Sequence, residues 1–84
     1  MRYSVISTEF ADYQLATIWL RAIDRQYITD ASDRIEALLR NDPDQIGELR
    51  PDGFRSVIIH PLVVTFEVIP DDRKAIIRSV RFRP

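Results

Sequence analysis

The fold of this chain is decided by residues 54–82, which read FRSVIIHPLVVTFEVIPDDRKAIIRSVRF. Three runs rich in β-branched and aromatic residues are separated by short breaks that contain proline. Each run has the length of a strand, and each break is short enough for a hairpin turn. The sequence therefore predicts a three-stranded antiparallel meander. Its middle run, residues 62–69, is apolar on both faces, so we expect it to be the central strand.

The third run, residues 75–82, is less regular. Strict alternation places Ile77 and Val80 on opposite faces of the strand and leaves neither face cleanly apolar. The two side chains would share a face only across a β-bulge. The pattern therefore leaves two interpretations open, a regular strand with mixed faces and a bulged strand with one apolar face.

Ahead of the meander, the sequence predicts a short strand and a helix. Residues 2–7 alternate weakly and form the expected first strand, at an edge of the sheet, after which Ser7 or Thr8 caps a helix. From residue 9 to about residue 25 apolar side chains recur at helical spacing: Ala11, Leu15, Ile18, Trp19, Ala22 and Ile23. Trp19 is the largest of them, so we expect it to anchor the core.

A second helix follows, with Thr29 or Asp30 as its cap and an end before Pro43. Its apolar stripe consists of Ala31, Ile35, Leu38 and Leu39. Residues 42–53 form a long loop, and such loops are either functional or held in place by contacts. The sequence, residues 1–84, predicts a single α+β domain with an αα-hairpin packed on one face of an antiparallel sheet, in the order β-α-α-β-β-β.

Charge is distributed unevenly along the chain, although the net charge is only −1. Residues 9–53 contain ten acidic residues and five arginines, whereas residues 54–84 contain six basic and three acidic residues. A basic sheet beneath an acidic cover is compatible with an anionic partner on the sheet side. The same imbalance arises when helices and loops simply carry more acid than strands, and both interpretations stay open.

Composition disfavours several kinds of chemistry. The chain has no cysteine and one histidine, which argues against zinc binding, disulfides and thiolate catalysis. Its two glycines lack the spacing of a phosphate-binding loop, so we expect no cofactor. No signal peptide or membrane span is visible, so we expect a cytoplasmic protein. His60 precedes Pro61 at a predicted turn, where an exposed or turn-capping role is favoured over proton transfer.

The remaining candidates for chemistry are arginines in or beside the predicted sheet: Arg50, Arg55, Arg78, Arg81 and Arg83. Guanidinium groups bind phosphate through two donors at once, and several on one surface can grip an RNA backbone and stabilise a phosphoryl transition state. Arg55 would converge with Arg81 or Arg83 if their strands were neighbours. The alternative is that each arginine is a solvated strand residue, or a partner of Glu67 or Asp71.

The chain carries a set of short elements in a fixed order: Arg2-Tyr3-Ser4-Val5, Ile18-Trp19, Asp24-Arg25, the spacing Ala31…Ile35…Leu38-Leu39…Pro43…Gly47, Gly53-Phe54-Arg55, Pro61-Leu62-Val63-Val64-Thr65-Phe66 and Ile77-Arg78-Ser79-Val80-Arg81-Phe82. With these elements in this order, the chain resembles the RelE/ParE family of type II toxin–antitoxin toxins, which includes plasmid stabilisation proteins. The resemblance covers nearly the whole length. It implies a compact α+β toxin that inhibits growth and is neutralised by a cognate antitoxin wrapped around it.

RelE-like members of this family cleave mRNA on the ribosome with the RNA's own 2′-hydroxyl as nucleophile, whereas ParE-like members inhibit DNA gyrase. A RelE-like identification implies an mRNA interferase in which Arg55 and Arg83 are catalytic, with Arg81 in place of Arg83 if the register is shifted. It also implies RNA binding by Arg50, Arg78 and Arg81. The partners are then an antitoxin and, as target, either the ribosome with its mRNA or gyrase.

Two features depart from the RelE pattern. Residues 42–53 are acidic where active nucleases are basic, and all three tyrosines lie in the N-terminal part rather than after the last strand. Three hypotheses therefore stand: a ribosome-dependent mRNA endonuclease, a ParE-like gyrase inhibitor, and an inactive member that serves to bind the antitoxin. All three predict a protein partner, for which an apolar groove is left on the surface.

Overall fold

Two helices lie on one face of a five-stranded sheet in the computed structural model, which describes residues 2–84. The elements in chain order are β1 (Ser4–Ser7), α1 (Glu9–Arg21), α2 (Arg25–Leu39), a short 3₁₀ turn (Pro43–Gln45), β2 (Glu48–Leu49), β3 (Arg55–Ile59), β4 (Leu62–Ile69) and β5 (Lys74–Phe82). This architecture confirms the predicted α+β fold class. No helix within residues 2–84 has the length and apolar composition needed to cross a membrane.

The strands are ordered β1-β5-β4-β3-β2, so β4 is central, as the sequence predicts. β3, β4 and β5 form the predicted antiparallel meander. The two edge strands of the sheet, β1 and β2, have features that the sequence does not predict. β1 is the predicted edge strand, but it pairs with β5 in parallel, which makes the sheet mixed. The two-residue β2 lies inside the predicted loop and pairs with the start of β3, and so short a strand leaves no periodic signal in the sequence.

A β-bulge interrupts β5 at Arg78. Successive residues of β4 pair with Ser79 and Ile77, so Arg78 between them has no partner on β4. The extra residue lets Ile77 and Val80 both face the helices, where they pack in the core. The bulged interpretation of this strand is therefore confirmed, and the bulge turns Arg78 to the other face of the sheet.

The hydrophobic core lies between the helices and the sheet. Its buried side chains come from both layers: Ala11, Ala31, Ile35, Leu39, Val57, Leu62, Val64, Phe66, Ala75 and Val80. Three of the four residues in the predicted stripe of α2 belong to this core, and Leu38 is half-buried. Of the residues of α1, only Ala11 is buried, and its small side chain lets the helix lie close to β5.

α1 ends about one turn earlier than the sequence predicts. After α1 the backbone of Ala22 is extended, with φ −69° and ψ 140°. The Asp24 carboxylate then accepts a hydrogen bond of 3.1 Å from the backbone N–H of Tyr27 and caps α2. The predicted caps, Thr29 and Asp30, are therefore wrong, since both lie inside α2. A side-chain cap satisfies the free N–H groups of a new helix, and here it outweighs the apolar pattern that runs through Ala22.

Trp19 does not anchor the core, contrary to the prediction. Its side chain is 39% exposed and lines an outer groove between α1 and α2. Leu15 and Ile18 pack against the core instead, because a helix turns only part of so broad a stripe toward the sheet. The indole N–H still finds an acceptor, the hydroxyl of Thr29 at 3.2 Å.

Candidate nucleic-acid interface on the open sheet face

One face of the sheet is not covered by helices, and we call it the open face. On β4 the side chains of Val64 and Phe66 lie in the core, so those of Val63, Thr65 and Glu67 point to the open face. Directly paired residues of neighbouring strands share a face. Pairing therefore places five more side chains on the open face: Ser56, Ile58, Ile76, Ser79 and Arg81.

Arg50 reaches the open face from the loop ahead of β3. Its backbone N–H donates to the carbonyl of Phe54 at 2.7 Å, and its carbonyl accepts from Gly53 at 3.0 Å, so a tight turn fixes its position. The guanidinium donates to the Thr65 hydroxyl at 3.3 Å and forms a 3.0 Å ion pair with Asp52. Arg50 thus lies over the centre of the sheet, and its role in RNA binding stays a prediction.

Arg78 is held on the open face by the bulge in β5. Its Nε donates to Glu67 Oε1 at 3.1 Å, and its Nη2 contacts the same oxygen. The guanidinium carbon also lies 5.7 Å from the centroid of the Phe54 ring. Charge-assisted bonds on one side and an aromatic face on the other leave this guanidinium ordered but partly exposed.

Arg81 and Arg83 lie at the end of the open face nearest the β3–β4 turn. Arg81 is opposite Val63, and the backbone N–H of Arg83 donates to the carbonyl of Pro61 at 2.7 Å. Both side chains are exposed. Neither guanidinium forms an ion pair within residues 2–84, in contrast to Arg50 and Arg78. Of the four arginines on the open face, these two are therefore more available to an anionic ligand than Arg50 and Arg78 are.

Arg55 has a different setting. It is opposite Phe66, on the helix-covered face. Its Nε donates to the Ile46 carbonyl at 2.9 Å and its Nη2 to the Gly47 carbonyl at 3.2 Å. Gly47 itself has φ +67°, and a Cβ there would lie 2.1 Å from the carbonyl oxygen of Ser56. Arg55 therefore ties the long loop to β3, so this loop is held in place by contacts.

The predicted catalytic pair, Arg55 and Arg83, is not brought together. β4 lies between β3 and β5, and Arg55 is opposite Phe66 whereas Arg81 is opposite Val63. Phe66 and Val63 are three residues apart on β4, so Arg55 and Arg81 are offset by about 10 Å along the strand direction. Across the sheet they are two strand spacings of about 5 Å each apart. Arg55 and Arg81 also point to opposite faces. The sequence predicts convergence of Arg55 with Arg81 or Arg83 only if their strands are neighbours, and this condition is not met, because β4 separates β3 from β5. The catalytic roles of the two residues stay predictions.

A row of hydroxyl groups lies at the centre of the open face, and the sequence pattern alone does not predict it. Ser56 pairs with Thr65, and Thr65 pairs with Ser79, so the three side chains lie side by side across three strands. Phe54 lies beside this row, under Arg78. In the sequence each of these residues is a polar position within an otherwise apolar strand. Only the pairing of the strands shows that the three residues are neighbours. Thr65 itself is buried and its hydroxyl accepts from Arg50, whereas Ser56 and Ser79 are half-buried. The hydroxyls of Ser56 and Ser79, with the ring and the guanidinium groups, suit contact with a sugar–phosphate chain and its bases.

His60 is exposed at the β3–β4 turn, which confirms its expected position. Its Nδ1 lies 2.6 Å from the hydroxyl oxygen of Tyr27, at hydrogen-bond distance. The only imidazole of the chain is thus engaged with α2 rather than with the arginines. Among the described residues, no three side chains of metal-ligating type come together.

No protein-family model matches the chain, and no curated protein matches it in sequence. Solved structures do match. A chain of the RelBE2 toxin–antitoxin complex from Mycobacterium tuberculosis superimposes with a TM-score of 0.81 and 17% identity, over 99% of this chain and 93% of that one. A chain of the chromosomal ParDE system from P. aeruginosa gives 0.72 and 19%, over 99% and 98%. The isolated E. coli RelE toxin gives 0.66 and 15%, over 98% and 85%.

These structures define a RelE/ParE-like toxin fold, and this chain has that fold along its whole described length. The resemblance found in the sequence is thereby confirmed at the level of the fold. At identities between 15% and 19% the likeness extends to the fold alone. RelE and ParE structures both match, so the fold does not separate the two branches.

Proposed function

We propose that the chain is the toxin of a type II toxin–antitoxin system, that it binds RNA on the open face, and that it cleaves mRNA on the ribosome. The observation that carries the proposal is the group of Arg50, Arg78 and Arg81 on one helix-free surface beside a row of hydroxyls. The likeness to toxin chains over nearly the full length supports the toxin role.

In this proposal the arginines have different roles. Arg50 and Arg78, held in place by their neighbours, bind the RNA backbone. Arg81 and Arg83, which have no carboxylate partner within residues 2–84, stabilise the charge that develops on the phosphoryl group. The 2′-oxygen bonds to phosphorus as the bond from phosphorus to the 5′-oxygen breaks, which leaves a 2′,3′-cyclic phosphate and a 5′-hydroxyl. The 2′-proton leaves to, and the 5′-oxygen is protonated from, groups of the ribosome, the RNA or water. Arg55 takes a positioning role, because its donors hold the loop that carries Arg50. The chain then contributes position and charge, and the ribosome and the RNA contribute the rest of the chemistry.

Expression of the chain from an inducible promoter tests this function. The proposal predicts that growth stops and that primer extension on translated transcripts finds new 5′ ends inside the reading frames. The same transcripts kept untranslated, by removal of their ribosome-binding site, should stay intact. Growth arrest with unchanged translated transcripts would contradict mRNA cleavage.

Inhibition of DNA gyrase is the second candidate function. It is favoured by the ParDE structure among the matches and by the pairing of Arg50 and Arg78 with the chain's own carboxylates. A supercoiling assay with purified gyrase distinguishes the two, since a gyrase inhibitor blocks supercoiling or traps cleaved DNA and leaves transcripts whole. A chain that binds an antitoxin but neither arrests growth nor inhibits gyrase would instead fit the inactive member of the three hypotheses.

A cognate antitoxin is the partner that this proposal requires. Several large apolar side chains are exposed on the surface: Ile6, Phe10, Tyr13, Trp19, Leu20, Ile23, Tyr27, Leu49, Ile58 and Phe82. So many exposed apolar groups on a small domain are typical of a surface that a partner covers. Co-expression with a small neighbouring reading frame should restore growth, and failure of every neighbouring frame to do so would count against the system.

A further inference from the structure

The end of the molecule where α1 meets α2 carries an apolar pocket of about 470 Å³, which we call the end pocket. Its walls come from three segments: the link between the helices with the start of α2, the β3–β4 turn, and the end of β5. Phe82 lines the pocket from β5 and is opposite Leu62, a core residue, so it points to the helix-covered side. The end pocket therefore lies beside the open face and not on it.

Polar groups in the walls of the end pocket are already paired with one another. The hydroxyl oxygen of Tyr27 and Nδ1 of His60 lie 2.6 Å apart, and the centroids of the two rings are 5.9 Å apart. The backbone N–H of Ala22 donates to the carbonyl of Trp19 at 3.3 Å. A polar group that keeps its hydrogen bond is covered without the cost of an unsatisfied donor or acceptor. Apolar side chains of a partner can therefore cover these groups.

Ile23 protrudes beside the end pocket. It lies in the link between α1 and α2 and is fully exposed, more so than any other large apolar residue within residues 2–84. The same residue lines the mouth of the pocket. A protruding apolar side chain next to an apolar pocket makes this surface self-complementary. In a two-fold contact between two copies of the chain, the Ile23 side chain of each copy enters the pocket of the other.

The rim of the end pocket carries one charge of each sign beside Ile23. Arg21 and Asp24 both line the pocket, and both side chains are exposed. Neither forms an ion pair in the part of the chain that the structure describes. In a two-fold contact Arg21 of one copy faces Asp24 of the other, and this pair occurs twice. The charges of the rim therefore complement a second copy of the chain, whereas a nucleic acid would meet the carboxylate of Asp24.

We propose that the chain forms a two-fold dimer in which Ile23 of each copy enters the end pocket of the other and Arg21 pairs with Asp24 across the contact. A two-fold contact uses the same surface on both copies, so assembly stops at two chains. The inference goes beyond the proposed function and does not depend on it. Arg81 and Arg83 alternate with Phe82 along β5 and point to the open face, so the contact leaves both arginines of each copy accessible.

Sedimentation equilibrium of the purified chain tests the inference. We expect the mass of two chains at about 100 μM and a fall toward the mass of one chain on dilution. Ile23→Glu should give the mass of one chain throughout, because it would place a carboxylate in each apolar pocket. Leu20→Glu is the matched control: it makes the same charge change at a residue of α1 that is 63% exposed but does not line the end pocket, and it should still associate.

The charged pair across the contact gives a second measurement. Arg21→Glu should weaken association at least about tenfold, because it places a carboxylate against Asp24 at both ends of the contact. Addition of Asp24→Asn to this variant should recover part of the loss, since the introduced carboxylate then no longer faces another. Asparagine also serves as a helix cap, so α2 keeps its start. Circular dichroism of each variant checks that it is folded.

Several results would overturn the dimer. They are the mass of one chain at every concentration, association that Ile23→Glu leaves unchanged, and association that Leu20→Glu abolishes equally. If Ile23→Glu left the mass unchanged but weakened binding of an RNA oligonucleotide or rescue by an antitoxin, the end pocket would belong to that partner and not to a second copy. The mass is measured without any assay of toxicity, so failure of the dimer and failure of the proposed function are distinguishable.

Discussion

At the scale of single residues, two ion pairs reduce the positive charge of the open face. Glu67 occupies Arg78 and Asp52 occupies Arg50, so an anionic ligand must compete with the chain's own carboxylates. Both pairs are partly exposed, and such pairs contribute little to the stability of the fold. We therefore expect these pairs to affect the binding of an anionic ligand more than the stability of the fold.

Removal of the Glu67 charge should strengthen RNA binding. In Glu67→Gln, Arg78 keeps a hydrogen-bond acceptor but loses its anionic competitor. We expect about two- to fivefold tighter binding of a single-stranded RNA oligonucleotide and a logarithmic salt dependence steeper by about 0.7, measured by fluorescence polarisation. Glu36→Gln removes the same charge from the Arg40 pair on α2 and is the matched control. An equal gain in both variants would show that net charge alone, and not the open face, is responsible.

Position 47 requires glycine for two reasons, its backbone conformation and the nearby carbonyl oxygen of Ser56. An alanine there would combine a positive φ with a Cβ 2.1 Å from the Ser56 carbonyl oxygen, whereas at Gly53, with φ +89°, nothing lies within 4 Å of the added atom. We expect Gly47→Ala to lower the free energy of unfolding by at least about 2 kcal/mol and Gly53→Ala by about 1 kcal/mol. Urea unfolding followed by circular dichroism measures both. A Gly53→Ala variant as destabilised as Gly47→Ala would argue against the close approach of the loop to β3.

At the scale of secondary-structure elements, the break between α1 and α2 depends on one side chain. Asp24→Ala removes the acceptor for the Tyr27 N–H and should cost about 1 kcal/mol of stability. Asp30→Ala, at a cap predicted from the sequence, removes only an acceptor for the Gln26 side chain and should cost less. Thermal unfolding of the two variants compares them. A larger loss in Asp30→Ala would contradict the observed start of α2.

The strands were the most predictable elements. Alternation in residues 54–82 indicated three strands, a central β4 and the choice of a bulge, because each depends on which side chains can share a face. The boundary between α1 and α2 depends on whether the cap formed by Asp24 outweighs the apolar pattern of α1. The apolar pattern alone does not predict the answer. β2 is held only by its pairing with β3, so residues 48 and 49 carry no signal of their own.

The candidate site was only partly predictable, because the direction of each side chain depends on strand pairing that the sequence does not show. The sequence indicated which residues are arginines in strands, and Arg50, Arg78 and Arg81 do lie on one face. The side of the sheet that Arg55 faces depends on pairing with Phe66, and the orientation of Arg78 depends on the bulge. Trp19 was assigned to the core by its size, but the broad stripe of α1 left it at the groove.

At the scale of the whole molecule, the two layers present different surfaces. The sheet layer presents an arginine-bearing open face, and the helix layer carries a groove between α1 and α2 that Asp12 and Asp33 line. The uneven charge of the sequence, acidic before residue 54 and basic after it, corresponds to these two surfaces.

The central claim is that the open face carries the toxic activity, and transcript mapping of two variants tests it most directly. The first variant combines Arg78→Ala with Arg81→Ala, and the control combines Arg21→Ala with Arg34→Ala, which removes the same charge from the helices. We predict that the open-face variant loses at least about 100-fold in mRNA cleavage on the ribosome, while the helix variant cleaves as the unchanged chain does. Undiminished cleavage by the open-face variant, or an equal loss in both, would contradict the account.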